Sequence, residues 1–595
     1  MPKITIDDLE YQVSGDTNVL EACREAGIRI PSMCWLEGKP PLGACRVCLV
    51  EVEGAPTLSA ACSTPVREGM SVRTRSARVR NARRAVVELL LSEHHQDCPS
   101  CERSGDCELQ DLARSLGVDE ITWEGMPTRR HIDRSTPALV RDSGKCIKCR
   151  RCITACSAIQ NVGALAPQGR GFSSVVGPAF NRDLSMVTCV QCGQCAAVCP
   201  TGAITEASHR EMVWSALEDK DLHVVVQTAP AIRAALGELF GLPPGTLVTG
   251  KMVTALRRMG FDAVFDTNFA ADLTIMEEGT ELLGRLRNAL LEGGEAKLPM
   301  FTSCSPGWIQ YAEHYWPDML ANLSSCKSPQ QMFGALAKTY YAEKTGIDPS
   351  RIVVVSVMPC TAKKFEAGRE EMTASGFADV DYVLTTRELG RMISEIGLDF
   401  VNLPDEDMDA PLGISTGAAD IFAATGGVME AALRTAWELV TGTVLPGDRL
   451  HLQPLTTLEG VKSLGITVEH ALPQWSFLEG VELKVAVAHG LGNANRLLEA
   501  IRDGRESFHF VEVMTCPGGC IGGGGQPRMT DDSVRRARIQ AIFREDEGKP
   551  IRKSHENPAV AKLYEEFLIE PNGHKAHELL HTEYRRKAVI KFGAP

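Results

Sequence analysis

The chain has 595 residues, too many for one hydrophobic core, so three to five domains are expected. Its composition, 44% hydrophobic and 23% charged, is that of a folded globular protein and excludes general disorder. The net charge of −13 argues against a nucleic-acid surface and is compatible with basic redox partners. No apolar run is long enough for a membrane span. The first residues lack the features of an export signal, which predicts a cytoplasmic protein.

The 21 cysteines are concentrated in the first third of the chain. In a long chain without an export signal, dense cysteine indicates metal binding rather than a disulfide framework. The spacings of these cysteines divide them into separate groups, which follow in chain order.

The first group lies in a segment that begins with alternating polar and apolar residues, 1–12, and a helix opened by Asn18. These elements predict a small β-grasp domain. Its thiols have the pattern C-x10-C-x2-C-x13-C and can hold a [2Fe–2S] cluster, with a four-thiolate zinc site as the alternative. The segment resembles a plant-type ferredoxin domain, although the first spacing is wider than usual. The candidate ligands are Cys34, Cys45, Cys48 and Cys62.

The second group lies in a helical segment, 80–125, and has the pattern H-x3-C-x2-C-x5-C. One imidazole and three thiolates can bind zinc or a [4Fe–4S] cluster equally well. The pattern resembles the His-ligated [4Fe–4S] segment shared by iron-only hydrogenases and respiratory complex I. Its candidate ligands are His94, Cys98, Cys101 and Cys107, with His95 as a rival to His94.

The third group contains two copies of C-x2-C-x2-C-x3-C within residues 136–208. In such paired motifs, three cysteines of one copy bind one [4Fe–4S] cube and the fourth binds the other cube. The first predicted set is Cys146, Cys149, Cys152 and Cys199. The second predicted set is Cys189, Cys192, Cys195 and Cys156.

From about residue 210, strands alternate with helices. Four short β-branched runs predict strands buried on both faces of a parallel sheet: 224–230, 298–305, 352–360 and 510–520. Further strands are predicted at 381–386 and 483–488, and helices at 230–240, 328–344, 387–396 and 427–441. Because ligands sit beyond the carboxyl ends of strands in open α/β sheets, we expect the residues that follow these strands to converge. They are Cys304, Ser305, Cys360, Cys516 and Cys520.

We therefore predict a multidomain α+β protein. Its parts are a β-grasp [2Fe–2S] domain at 1–79, a small helical His/Cys cluster segment at 80–125, a bacterial-type 2×[4Fe–4S] ferredoxin domain at 136–208, a two-lobed α/β domain at 210–545 and a helical tail at 546–595.

Three segments of the α/β domain carry a resemblance to a known family. They read TSCSPGW (302–308), MPCTAKKFE (358–366) and EVMTCPGGCIGGGGQP (512–527), and they resemble the three signature motifs of [FeFe]-hydrogenases. The resemblance extends over nearly the whole chain. It implies an H-cluster in the α/β domain, which is a [4Fe–4S] cube joined through one cysteine to a diiron unit with CO, cyanide and azadithiolate ligands.

The resemblance also implies roles for individual residues. Cys360, Cys516 and Cys520 ligate the cube, and Cys520 is the bridging thiolate. Lys363 donates a hydrogen bond to a cyanide ligand. The other residues expected to contact the cofactor are Ala229, Pro230, Met358, Pro359, Met514 and Gln330. Glycines 518, 519 and 522–525 suit a turn at which side chains would collide with the cofactor.

Ser305 departs from the family pattern, which has two adjacent cysteines. The first, here Cys304, relays protons, and the second ligates the cube. Ser305 can ligate iron as an alkoxide, or Cys304 can take the ligand role after a local shift. Alternatively, Ser305 simply N-caps a helix that has Pro306 at its first position.

A proton path is also implied by the resemblance. Glu278, Glu281 and Arg285 recur at i, i+3 and i+7, one face of a helix. With Ser324 and Cys304 they form a chain from the diiron unit to solvent. Without the resemblance, a surface ion pair between Glu281 and Arg285 is the simpler interpretation.

The resemblance predicts an enzyme that catalyses 2 H⁺ + 2 e⁻ ⇌ H2. No strand-linked G-x-G-x-x-G is present, so NAD(P)H must be handled by partners. The expected partners are flavin and NAD(P)-binding subunits, a small [2Fe–2S] subunit and ferredoxin, and the complex could be electron-bifurcating. One alternative is an H2 or redox sensor, although no signalling domain is evident. Another is an electron-transfer subunit whose H-cluster is impaired because Ser305 replaces a ligand cysteine.

Overall fold

The computed structural model describes residues 1–588 except 127–128, 295, 446–452, 456–457, 459 and 529–530. Within these residues the protein has five sheets and mixed helices, which confirms the predicted multidomain α+β class. None of the described helices is long and apolar enough to cross a membrane.

The N-terminal domain is a mixed five-stranded sheet with one helix packed on it. The helix Val19–Glu25 begins at Asn18, whose side chain accepts from the Glu21 N–H while Glu21 bonds back to Asn18, a complete capping box. Cys23, on the inner face of this helix, is fully buried. In sheet order, the strands are Leu9–Gln12, Lys3–Ile6, Ser71–Arg73, Leu49–Val52 and Ser59–Ala60.

Two helices follow, and a small ferredoxin-like domain comes after them. The helices are Ala77–Ser92 and Glu108–Ser115. The ferredoxin-like domain has a three-stranded antiparallel sheet, a two-stranded hairpin and two one-turn α-helices at its cysteine motifs. Its strands are Ile132–Asp133, Leu139–Asp142, Ile204–Glu206, Ala166–Gln168 and Val175–Gly177, and its α-helices are Arg151–Thr154 and Gln194–Ala197.

The first lobe of the α/β domain contains a fully parallel four-stranded sheet. Its valine-rich strands are buried on both faces, as the lack of alternation predicts. The strands, in sheet order, are Ala263–Asp266, His223–Thr228, Ile352–Met358 and Tyr382–Thr385. The main helices are Thr249–Met259, Thr267–Arg287, Pro329–Leu336, Ala342–Thr345, Ala362–Ala367 and Thr386–Glu395, and Arg210–Glu218 leads into the lobe.

The second lobe contains a five-stranded sheet in which three parallel strands are extended by two antiparallel ones. In sheet order, its strands are Met300–Phe301, Phe510–Met514, Glu482–His489, Val461–Thr467 and Gln453–Pro454. Its helices are Pro306–Tyr315, Gly417–Asp420, Gly427–Thr441 and Leu491–Arg502.

The C-terminal segment packs on both lobes and is not a separate tail. Its helices are Asp532–Gly548, Pro558–Leu563 and His574–Leu580. The boundary predicted at 545/546 is wrong because it falls inside the first of these helices. The last seven residues of the predicted tail, 589–595, lie outside the described residues.

The α-helix predicted at 230–240 is also wrong. Residues 230–235 form successive tight turns, and only Leu236–Phe240 forms a 3₁₀ helix. The cause is tertiary, because the buried Arg233 reaches Asp266 at 2.8 Å and Asp420 at 3.0 Å. The alanine-rich sequence favours a helix locally, and the ion pairs impose a tighter path.

A buried charge cluster joins the ferredoxin-like domain to the α/β domain. Glu206 accepts from Arg387 at 2.8 Å and from Arg528 at 3.2 Å, and all three side chains are nearly inaccessible to solvent. Burial alone would raise the pKa of Glu206, but the two guanidinium groups hold it well below its usual range. Arg387 also donates to the carbonyls of Gly524 and Gln526, so the same cluster fixes the glycine-rich loop.

Replacing Glu206 should therefore destabilise the junction between the two domains. Glu206→Gln leaves the buried Arg387 without a counter-charge and Arg528 with only the exposed Asp106, a loss of about 3–5 kcal/mol for such buried pairs. We expect a lower thermal unfolding midpoint, measured on cluster-loaded protein by circular dichroism. The control is Glu211→Gln, at an exposed position on the following helix. Equal midpoints for the two variants would contradict this account of the junction.

Candidate metal centres and catalytic cage

The four thiols predicted to hold a [2Fe–2S] cluster lie together in the N-terminal domain. Cys34, Cys45, Cys48 and Cys62 are all buried and none forms a disulfide. Cys34 is within hydrogen-bond reach of Cys45 and Cys62, and Cys62 of Cys48. The Met33 N–H donates to Cys45 Sγ at 3.4 Å, the kind of backbone bond that stabilises a cluster thiolate.

The His94 group surrounds a cavity lined by His94, Cys98, Cys101 and Cys107. Burial lowers the pKa of His94 to about 4, so the ring is neutral at physiological pH. His94 Nδ1 is buried and has no hydrogen-bond partner among the described residues. A neutral imidazole with an unsatisfied buried nitrogen suits metal ligation. His95 lines the same cavity, and its backbone N–H donates to the Gly144 carbonyl.

The eight cysteines of the paired motifs surround two separate cavities. One is lined by Cys146, Cys149, Cys152 and Cys199. The other is lined by Cys156, Cys189, Cys192 and Cys195. The structure thus brings together the same two sets of four that the spacing predicts, each with one cysteine from the other copy.

The candidate catalytic cage, which is formed around Cys360, Cys516 and Cys520, lies where strands of both lobes end. Cys360 follows the strand Ile352–Met358 of the first lobe, and Cys516 follows Phe510–Met514 of the second. Cys520 lies in the loop after Cys516. Burial raises the pKa of all three thiols. The charge of Cys360 also raises the pKa of Cys516 and of Cys520, so the three sulfurs share one desolvated space.

Ser305 lies beside this cage and does not cap its helix. It is the N-cap residue of Pro306–Tyr315, but its side chain makes no capping hydrogen bond. Its Oγ instead lies 2.7 Å from Thr515 Oγ1 and accepts from the Thr515 N–H at 3.3 Å. The side chain is therefore held next to Cys516 rather than over the helix terminus. Ser305 occupies the predicted N-cap position, but the prediction that its side chain caps the helix is wrong.

Lys363 is aimed at the cage by a buried network. Its Nζ donates to the Cys304 carbonyl at 3.1 Å and to Glu366 at 2.8 Å. Glu366 also accepts from Ser328 and from Gln330 at 2.8 and 3.1 Å. Gln330 thus contacts the lysine network, and its Oε1 is a buried acceptor with no partner among the described residues.

The remaining predicted cofactor contacts form apolar walls. Met358 and Met514 are the buried last residues of two strands that precede cage cysteines. Pro359 accepts from the Gly525 N–H at 2.7 Å, and Ala229 and Pro230 are buried at the end of the strand His223–Thr228. The carbonyl of Ala231 accepts from Gln526.

The glycine-rich loop is required by neighbouring protein atoms. A Cβ at Gly523 would lie 2.2 Å from the Pro359 carbonyl oxygen, and one at Gly524 would lie 2.2 Å from the Cys192 carbonyl oxygen. Gly519 has φ +93° and would collide with the Thr425 backbone nitrogen. These glycines thus permit backbones to approach each other, an explanation that does not depend on the cofactor.

A line of proton-bearing groups leads away from the cage. The pKa of Cys304 is raised well above its usual value, by burial and then by the neighbouring Glu278 carboxylate. Glu278 is within hydrogen-bond reach of Ser324, which donates to Glu281 at 2.8 Å. Glu281 pairs with Arg285 at 2.6 Å. The structure thus connects Glu278, Ser324, Glu281 and Arg285 by hydrogen bonds and an ion pair, with Cys304 within the electrostatic range of Glu278.

The donor set fits an iron–sulfur cofactor. Three desolvated thiols without a disulfide, of which Cys516 is buried, lie with an alcohol and an ammonium group close by. This arrangement has no hydrophobic purpose, and desolvated thiolates require a metal or a counter-ion.

Three residues of the site were not singled out by the sequence. Glu366 could have been found, because it lies three residues after Lys363 in the same helical motif. Thr515 precedes Cys516 but has no distinctive pattern of its own. Gln194 donates to the Gly522 carbonyl across the domain junction, a contact that no local signal reveals.

Matches to family models cover most of the chain. Residues 222–524 match the model described as iron only hydrogenase large subunit, C-terminal domain. Residues 532–587 match iron hydrogenase small subunit. The N-terminal matches are a 2Fe-2S iron-sulfur cluster binding domain at 2–77, an NADH-ubiquinone oxidoreductase-G iron-sulfur binding region at 83–122 and a 4Fe-4S dicluster domain at 145–203.

Full-length relatives point the same way. The chain is 51% identical over 593 residues to NADP-reducing hydrogenase subunit HndD of Solidesulfovibrio fructosivorans, covering 99% of each chain. It is 37% identical over 594 residues to iron hydrogenase 1 of Clostridium pasteurianum, covering 98% of this chain and 100% of the relative. An apo [FeFe]-hydrogenase HydA1 structure from Chlamydomonas reinhardtii aligns with a TM-score of 0.59 and 46% identity, covering 64% of this chain and 100% of that one.

The carboxyl of Glu278 should be protonated at neutral pH. Burial, and secondarily the Glu281 charge, raises its pKa to about 8. Its contribution to stability is therefore full below the unfolded pKa and lost as pH rises through about 8. In cluster-loaded protein without a diiron unit, infrared difference spectra should show a protonated C=O band that disappears near that pH.

The variant Glu278→Gln is needed to assign this band to Glu278. Asp272, Asp420 and Glu512 are also buried acids with raised pKa values and can give similar bands. If the variant loses no band above pH 6, the protonation assigned to Glu278 is wrong.

Proposed function

The chain belongs to the iron-only hydrogenases, an oxidoreductase family, and from that premise we propose that it is the H2-converting subunit of an NADP-linked complex. The observation that carries the proposal is the cage, in which thiols from two lobes, a lysine and a buried acid converge on one desolvated space. The linkage to NADP rests on the name of the full-length relative, an NADP-reducing hydrogenase subunit.

The residues of the cage would hold an H-cluster, and when bound it supplies the site at which H2 is formed or split. Cys360, Cys516 and Cys520 would ligate its cube, with Cys520 shared with the diiron unit. The diiron unit with CO, cyanide and azadithiolate is part of this proposal. Lys363 would donate to a cyanide ligand, and Glu366 fixes the direction of the ammonium group.

We propose Ser305 as the fourth ligand of the cube. Its Oγ is adjacent to Cys516 and already accepts from the Thr515 N–H, a bond that would stabilise an alkoxide. We assign Cys304 to proton transfer instead, because after burial the neighbouring Glu278 has the largest effect on the pKa of its thiol. An alkoxide is a harder donor than a thiolate, so the cube should have a lower potential than a four-cysteine cube.

Protons would pass between Cys304 and Glu281 by way of Glu278 and Ser324. Glu278, protonated at neutral pH, can donate to a Cys304 thiolate and be reprotonated through the Ser324 hydroxyl. Each group gains and loses one proton per transfer, so the series returns to its starting state.

Electrons would enter through the N-terminal clusters, one [2Fe–2S] and three [4Fe–4S]. The Cys189 set lies next to the cage, because Cys192 is among the charged neighbours of Cys516. We propose flavin and NAD(P)-binding subunits and a small [2Fe–2S] subunit as partners, with ferredoxin as a second carrier. Two surface entries, at the [2Fe–2S] and His94 clusters, would suit an electron-bifurcating complex.

One observation favours a second candidate, an electron-transfer subunit without H2 turnover. The Ser305 hydroxyl is already paired with Thr515, so the fourth corner of the cube could stay without a protein ligand. The two candidates differ in their response to a change at this one position.

The test is H2 evolution from reduced methyl viologen by protein matured anaerobically with its diiron unit. We expect turnover by the wild type and by Ser305→Cys, and a loss of at least about tenfold in Ser305→Ala, with less iron bound at the cage. Reduction of the N-terminal clusters, read from their visible spectra, should be equal in all three proteins. Turnover only in Ser305→Cys would instead support the electron-transfer candidate.

A further inference from the structure

The proton series ends at a residue that cannot release a proton. An arginine side chain stays protonated at all accessible pH values, so Arg285 can hold Glu281 but cannot relay protons. Its donors are also occupied, since they reach Glu281 and the carbonyls of Lys297, Ala321, Asn322 and Leu323. Glu281 therefore needs a different group that leads to solvent.

A histidine of the C-terminal segment lies beside Glu281. A ring nitrogen of His581, a carboxylate oxygen of Glu281 and Cys326 Sγ all lie within 4.8 Å of one another. His581 Nδ1 is 2.8 Å from Ser325 Oγ, and the Ser325 N–H donates to Glu281 at 3.1 Å. One hydroxyl or one water molecule is enough to connect the imidazole to the carboxylate.

A second carboxylate orients the imidazole. His581 Nε2 is 3.2 Å from Glu277, which also accepts from the Tyr564 hydroxyl at 2.5 Å and from the Asn572 N–H at 2.7 Å. Both ring nitrogens thus face proton-transfer partners, the arrangement by which a carboxylate holds a catalytic imidazole in place.

The imidazole also lies next to a solvent-exposed ring. The ring of His577 is stacked on His581 with centroids 4.3 Å apart and planes 12° from parallel, and His577 is exposed to solvent. The titratable groups that face His581 are therefore Glu277, Glu281, Cys326, Tyr564 and His577.

We propose that His581 is the proton relay between Glu281 and solvent, an inference that rests on the proposed function for its direction. During H2 formation the ring accepts a proton from the solvent side on one nitrogen. It releases the proton of the other nitrogen towards Glu281 by way of Ser325. This release leaves the ring neutral in its other tautomer, and a turn of the imidazole restores the starting tautomer. No electron moves in this step.

The relay gives the C-terminal segment a chemical role. His581 lies within residues 532–587, the part that matches the small-subunit model. The segment contributes His581 and Tyr564 to a site that is otherwise built from the large-subunit region. Cys326, a fully buried thiol, lines this exit.

The first test needs no H2 turnover. Cluster-loaded protein without a diiron unit is transferred to D2O, and the shift of the Glu278 carboxyl band is followed with time. Glu278 is buried, so its exchange depends on the relay. His581→Gln keeps polar groups for Ser325 and Glu277 but cannot carry a proton, and exchange should slow by about tenfold or more. His555→Gln, in the same segment and bonded to Thr435, is the matched control and should exchange like the wild type.

The second test uses the matured enzyme. H2 evolution should fall by a similar factor in His581→Gln, with a larger solvent isotope effect and unchanged reduction of the N-terminal clusters. Should His581→Gln fail to fold, Ser325→Ala replaces it. This variant removes the hydroxyl that lies 2.8 Å from His581 Nδ1, keeps the histidine, and should also slow exchange.

The inference is overturned if the carboxyl proton of Glu278 exchanges with D2O at the wild-type rate in His581→Gln, whatever the H2 turnover of that variant. The same result in Ser325→Ala overturns it where that variant is used instead. A loss of turnover alone would mean that the histidine only stabilises the segment. A wild-type enzyme without turnover would contradict the proposed function but not the relay, because the exchange test is independent of the diiron unit.

Discussion

The close approach of two backbones determines how the accessory clusters meet the catalytic cage. A Cβ at Gly524 would lie 2.2 Å from the Cys192 carbonyl oxygen and 2.7 Å from Gly193, and a Cβ at Gly193 would collide with the Thr361 side chain. The same contact is fixed by hydrogen bonds from Thr361 to the Gln191 carbonyl and from Gln194 to the Gly522 carbonyl. Any side chain in this contact would separate a cube from the cage, which explains why a glycine-rich loop follows Cys520 directly.

This contact divides the cage into two sides. Cys516 faces the ferredoxin-like domain through Cys192, and Cys304 faces the acidic helix through Glu278. In the function proposed here, electrons and protons would therefore reach the same buried space by routes that do not cross. Burial serves both sides, because it raises the pKa of thiols that iron must then keep deprotonated and keeps a carboxyl protonated at neutral pH.

Local sequence predicted the elements that local chemistry determines. Helix Gly427–Thr441 has its predicted bounds, and the valine-rich strand Ile352–Met358 lies within the predicted run. The helix expected at 230–240 failed because Arg233 forms distant ion pairs. The two sets of four cysteines in the paired motifs were predictable, because ligation of one cluster would restrict the short loops between its thiols. Ser305–Thr515 and Ser325–His581 were not, because 210 and 256 residues separate the partners in the sequence.

Ser305 decides whether the cage can hold a complete cube, since the other three expected ligand positions of the cage carry cysteine. The most direct measurement is a crystal structure of the anaerobically matured protein with anomalous diffraction at the iron edge. We predict a complete cube whose fourth iron is bonded to Ser305 Oγ, with Cys304 unbound and directed towards Glu278. A cube bonded to Cys304, or one with Ser305 still paired only to Thr515 and no protein ligand at that corner, would contradict the account.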